Sequence, residues 1–147
     1  CQIAEVEIEP ETGAVRVVRH TAVDDIGRVM NPLIAHGQVE GGIVQGLGQA
    51  LLEDCVHDAA AQLVSGSFMD YAMPRADDVP DLVTQFDERV PTAHNALGAK
   101  GVGEAGCHGA TPAIVNAVID ALAPCGVTAI DMPVTREKVW RALNAAR

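Results

Sequence analysis

Positive charge is scarce in this 147-residue sequence: Lys and Arg number 10 against 20 Asp and Glu, a formal net charge of -10. Nucleic acid and anionic membranes both require a positive field, so neither is an expected partner. Long apolar runs are missing too. The most apolar stretch, Leu33 to Asp54, is broken by His36, Gln38, Glu40, Gln45 and Gln49, which argues against a membrane span. The first 20 residues lack the basic-then-apolar order of a secretory leader. Cys1, Cys55, Cys107 and Cys125 are widely spaced with no C-x-x-C pair, so the sequence suggests neither a zinc site nor an iron-sulfur cluster. Reduced thiols in the cytoplasm are the simplest reading. Internal repeats and low-complexity tracts are also absent.

What is present is ordinary globular material, 48% hydrophobic and 20% charged, enough for one domain over residues 1–147. The sequence opens on Cys1 and enters strand-like alternation at once, which we read as a section of a longer polypeptide. Ala4, Val6 and Ile8 alternate with Glu5, Glu7 and Glu9, and "PETG" turns the chain into "AVRVVRHTAV", predicting a hairpin. From Leu33 to Asp54 the period lengthens: Val39, Ile43, Leu47 and Leu51 recur every four residues, as in a helix. "LVSGSFMDYAMP" is expected to form a second hairpin closed by Pro74, and "LVTQFDE" a further strand. After a long irregular segment, Thr111 and Pro112 are expected to cap and open a mostly buried helix through "AIVNAVIDAL". "VTAIDM" reads as a short strand, and Thr135 as the cap of a last helix carrying Val139, Trp140 and Leu143. The expected class is α+β, a hairpin-rich mixed sheet packed with about three helices.

Two segments carry unusual chemistry. In the first helix Gln38, Gly41, Gln45 and Gln49 share a face. Gly37, Gly41, Gly42, Gly46 and Gly48 together cost that helix roughly 4 kcal/mol relative to alanine. Either the glycines let a second helix approach closely, or they open the backbone to a polar ligand. The second segment, "GVGEAG" at 101–106, matches G-x-G-x-x-G literally. A dinucleotide fingerprint needs a hydrophobic strand running into its first glycine, and "PTAHNALGAK" is a poor one. Glu104 inside this run could cap the N-H groups of the following helix. Alternatively it is a general base whose glycine neighbours leave room for a substrate. His36, His57, His94 and His108 are scattered and form no metal-binding pattern, and Cys107 beside His108 is a weak candidate nucleophile.

At these segments the chain resembles the molybdenum hydroxylases, the family of xanthine dehydrogenase, aldehyde oxidase and aerobic carbon monoxide dehydrogenase. The likeness is to the C-terminal part of their large, molybdopterin-binding subunit. Five blocks carry it in the family's order: "VEIEPETGAVRVVRHTAVDDIGRVMNP", "GQVEGGIVQGLGQALLE", "GSFMDYAMPRADDVP", "GAKGVGEAG" and "DMPVTREKVWRAL". The resemblance implies that Glu104 is the catalytic glutamate, taking a proton from the water-derived ligand of molybdenum as it attacks an electron-poor carbon while hydride passes to the sulfido ligand. It implies that Gln38 hydrogen-bonds the pterin and that Lys100, Gly101, Val102 and Gly103 lie against the cofactor. It further implies molybdopterin with molybdenum, as molybdopterin cytosine dinucleotide, in a pocket completed by the remainder of the large subunit. Iron-sulfur (2Fe-2S) and FAD groups are then expected on other domains or subunits, with a small-molecule aldehyde, N-heterocycle or carbon monoxide as substrate. The resemblance assigns no metal ligand to these residues, and isolated they should be inactive. "CH" at 107–108 departs from the small or aliphatic residues usual after the glutamate. A non-catalytic structural or assembly module of the same family is the alternative, separated by cofactor content.

Overall fold

A computed structural model describes residues 1–145. The chain opens with a hairpin of β1 (Gln2–Glu9) and β2 (Ala14–Asp24), antiparallel with Gln2 opposite Ala22 and a bulge between Glu5 and Val6. Ala4, Val6 and Ile8 turn inward and the three glutamates outward, as their alternation predicts. The turn between the strands needs Gly13. Its φ is +69, its N-H closes the turn on Glu9 O at 2.8 Å, and a Cβ there would fall 2.2 Å from Arg136 O.

Helix α1 (Pro32–Leu51) starts where Asn31 Oδ1 accepts from Ile34 N at 3.2 Å and Pro32 supplies the preset first turn. The strand expected at "LVTQFDE" is β3 (Asp81–Phe86), which pairs with β2 in parallel, from Arg19 opposite Asp81 to Asp24 opposite Phe86. A parallel pair requires a crossover, and α1 with the connection behind it supplies one. Pairing with β3 covers only that half of β2. The outer edge of Ala14–Val18 has no strand beside it among the described residues.

Helix α2 (Ala105–Leu122) packs on α1 and β1, and α3 (Arg136–Ala145) closes the far end, with Thr135 Oγ1 accepting from Lys138 N at 3.4 Å. Ala22, Val39, Ile43 and Ala110 bury one section of the core, Val17, Leu47, Ala50 and Ile114 the next, and Val118, Leu122, Val134, Val139 and Leu143 the last. Each fully buried Val, Leu or Ile contributes about 1.5–3 kcal/mol, so this seam is the main stabilising feature.

Three expectations are corrected. Helix α2 begins at Ala105, six residues before Thr111, and Pro112 lies inside it. Gly106 and Gly109 are weak helix formers, but docking against α1 and β1 overrides their preference. The segment 63–74 makes no hairpin. His57 and Leu63 form an isolated bridge, and Phe68 and Met69 stand 84% and 96% exposed, with no apolar surface to hold an alternating register. Residues 127–132 form no strand; at the end of this segment Lys138 Nζ donates to the carbonyls of Asp131, Met132 and the following Pro133 at 2.9–3.3 Å. No helix among the described residues is long and apolar enough to cross a membrane.

Candidate functional site

Glycines set the geometry where α1 meets the start of α2. A Cβ on Gly42 would lie 2.9 Å from Cys107 N, one on Gly46 2.8 Å from Ala110 Cβ, and one on Gly106 2.1 Å from Val39 O. These three glycines therefore serve the helix-helix contact. Gly48 instead makes room for Glu53 and Pro74, with a Cβ there falling 2.2 Å from Glu53 Oε1, while an added Cβ on Gly37, Gly41, Gly101 or Gly103 meets nothing within 4 Å. The two readings of the glycine run thus apply to different glycines, Gly42 and Gly46 facing the neighbouring helix and Gly37 and Gly41 facing open space.

Gln38 joins the two segments singled out in the sequence, since its Nε2 donates to Gly103 O at 2.8 Å across 65 residues. Val102 turns inward against the section of core formed by Ala22, Val39, Ile43 and Ala110, while Gly101 and Gly103 are exposed on either side of it. Inward valine and outward glycines give the strip a buried anchor and two bare backbone positions. Lys100 braces the strip from below. Its Nζ donates to Asp25 Oδ2 at 2.6 Å, its N-H donates to Ile26 O at 2.8 Å, and Gly27 bridges Ala99. The Lys100 ammonium, helped by the Gly27 N-H, holds the Asp25 carboxyl below its ordinary value. The segment before Gly101 is an isolated bridge rather than a strand, so the G-x-G-x-x-G match lacks the strand that a dinucleotide turn requires.

Glu104 occupies the N-cap of α2 with φ -116 and ψ 6, and its side chain makes no capping hydrogen bond. The carboxylate is therefore not consumed by the helix it precedes. It stands 81% exposed beside the bare glycines, with His108 Nε2 3.7 Å from its Oε2. Gln38, Gly101, Gly103 and Glu104 come together at one place; Lys100 and Val102 support that place from inside. A cleft of about 630 Å³ between Val15–Val18, Leu47, Leu51 and Asp77–Asp81 contains none of them.

Gln2 and His20 escaped the sequence reading. Gln2 Nε2 donates to Ala105 O at 3.0 Å and Gly106 O at 3.2 Å, and its Oε1 meets His20 Nε2 at 2.9 Å. The signal available was weak: a polar residue on the inward face of β1 and another on that of β2, opposite faces being unknown until register is fixed.

The surface so formed offers main-chain contact over a broad area with one free acid at its rim, the layout of a module that lies against a large ligand. The residues fit such a ligand, because side chains at the four open glycines would fill the space it needs. Residues 1–80 match the family described as the molybdopterin cofactor-binding domain. The chain is 43% identical over 137 residues to the nicotine 6-hydroxylase large subunit of Paenarthrobacter nicotinovorans, covering 93% of this chain and 17% of that protein. It is 40% identical to the carbon monoxide dehydrogenase large chain of Hydrogenophaga pseudoflava, covering 95% and 17%. Among solved structures, quinoline 2-oxidoreductase from Pseudomonas putida 86 superposes with a TM-score of 0.91 at 42% identity, covering 95% of this chain and 18% of that one. The chain belongs to the molybdopterin cofactor-binding family of molybdenum hydroxylase large subunits. It spans less than a fifth of the length of these relatives.

Proposed function

We propose that this chain forms one wall of the molybdenum cofactor site in an oxidoreductase that hydroxylates an electron-poor carbon with water, and that Glu104 is its general base. The observation that carries the reading is the Gln38–Gly103 hydrogen bond, which sets an amide side chain next to an uncapped carboxylate on a glycine-bare face. When bound, molybdenum carried on molybdopterin cytosine dinucleotide would supply the two-electron oxidant. The chain's own residues do the rest. Gln38 keeps its Oε1 for a donor on the ligand while its Nε2 fixes Gly103. Gly37, Gly41, Gly101 and Gly103 let the ligand reach main chain, and Lys100 with Asp25 keeps the strip from sagging away. A Glu104 oxygen receives the proton released as water oxygen is transferred to the substrate carbon.

In this reading residues 1–147 act as one unit within a larger subunit. Exposed Leu33, Ile34, Phe68 and Met69 are then covered by the remainder of that subunit, since so many large apolar side chains are seldom left to water together. Iron-sulfur and FAD partners carry the electrons away, in keeping with a relative named as subunit gamma of a dehydrogenase complex. The four free thiols fit a cytoplasmic setting. Glu104→Gln in the complete enzyme tests the proposal: turnover is expected to fall by at least about 100-fold with molybdenum content unchanged, the range of a lost general base. Turnover within a few-fold of the parent overturns it.

A further inference from the structure

The base reading leaves open what holds Glu104 still. Its own side chain makes no bond to the helix, and the first turn of α2 contains Gly106 with Gly109 just beyond, two residues that favour fraying. Gln38 secures the main chain at Gly103, one residue before the glutamate. On the other side the contacts come from β1. Gln2 donates both of its close hydrogen bonds to the carbonyls of Ala105 and Gly106, the two residues that follow the glutamate. Gly109 is kept bare for it, since a Cβ there would lie 2.4–2.8 Å from the Gln2 side chain.

Gln2 is in turn oriented by His20. With the Gln2 amide nitrogen engaged at the helix, its oxygen must face His20 Nε2, so the imidazole carries its hydrogen on Nε2 and donates. His20 is fully buried, and its Nδ1 has no partner among the described residues. Burial holds the ring below its ordinary pKa and thus neutral, as a one-hydrogen donor must be. An ordinary apolar pair would fill this space without leaving an orphaned acceptor, so the polar arrangement serves orientation.

The geometry points to Gln2 and His20 as positioning residues for Glu104, an amide clamp that holds the first turn of α2 so that the main chain carrying the glutamate stays at a fixed place while its side chain makes no bond to the helix. This rests on the reading of Glu104 as the base. Because a shift of about 1 Å in a reacting group can cost on the order of 100-fold in rate, loosening the clamp acts on kcat.

The test uses the complete, molybdenum-loaded enzyme. Gln2→Leu removes the clamp, and Gln2→Glu keeps an acceptor for His20 while deleting both N-H donors to α2. Both are expected to lower kcat by at least about tenfold, with KM within twofold of the parent and molybdenum content unchanged. Val6→Ala, on the same strand but in the apolar seam, lowers stability and is expected to leave kcat within twofold. The inference is overturned if the Gln2 variants keep parental kcat, if Val6→Ala loses kcat equally, or if the Gln2 variants lose molybdenum. A Glu104→Gln enzyme assayed alongside separates the two readings. If it is inactive while Gln2→Leu is fully active, only the clamp fails; if it is active, the base reading fails first.

Discussion

Adjacent glycines in α1 should respond in opposite ways to the same substitution. Gly41→Ala places a methyl where nothing stands within 4 Å, so the helix gains alanine's propensity, about 0.8–1 kcal/mol, without a clash. Gly42→Ala places it 2.9 Å from Cys107 N and 3.0 Å from Gly106 Cα, both backbone, where ordinary contact begins at 3.4 Å. Relief requires α2 to retreat by about 0.5–1 Å, an overpacking cost of about 1–3 kcal/mol against the same propensity gain, leaving a net loss of about 0–2 kcal/mol. Amide hydrogen exchange across α1 in the complete subunit reads the local stability: roughly fivefold slower for Gly41→Ala and unchanged or faster for Gly42→Ala. Metal analysis should invert that order. Gly41→Ala obstructs the open face and is expected to lower molybdenum content, whereas Gly42→Ala retains molybdenum and loses about tenfold in kcat through displacement of Glu104. A Gly41→Ala enzyme that loads molybdenum as fully as the parent refutes the assignment of that face to the ligand.

Other outcomes follow from single contacts. Ile114→Ala empties a fully buried position between α1 and the sheet and should destabilise by about 2–5 kcal/mol in denaturant unfolding. The Arg89 guanidinium on Asp87, with Nε at 2.8 and 3.0 Å from the two carboxylate oxygens, holds that carboxyl down to about 2. A depressed folded-state value means the pair's contribution is complete above the unfolded value of 3.8 and fades as pH falls toward about 2. Arg89→Gln should return the Asp87 titration, followed by NMR, upward toward 3.8, and a value still near 2 would show that other groups are responsible.

Much of the chain could be read from period alone. The β1-β2 hairpin, a helix over the stretch from Leu33 and the existence of β3 all follow from local chemistry, because each places one face in the core. Partners were less legible. Nothing in "LVTQFDE" states that it lies parallel to β2, and the α2 start was misplaced at Thr111 because Gly106 and Gly109 oppose a helix that only contact with α1 and β1 can impose. For the site, Glu104 and Gln38 stood out as polar residues among glycines, and the family resemblance supplied their expected roles. The division of glycines into packed and open sets needed coordinates, since the sequence assigns both sets the same letter. Gln2 and His20 stayed hidden because a lone polar residue in an alternating strand looks like any solvated position.

The half-covered second strand has a bearing on handling. From Ala14 to Val18 one edge of the strand has no strand paired to it among the described residues, directly beside a cleft lined by Leu47 and Leu51. Produced by itself, this stretch of polypeptide offers like molecules a template to zip onto, and its colloidal behaviour is expected to improve sharply when a lysine is set into that rim or the rest of the subunit is co-expressed.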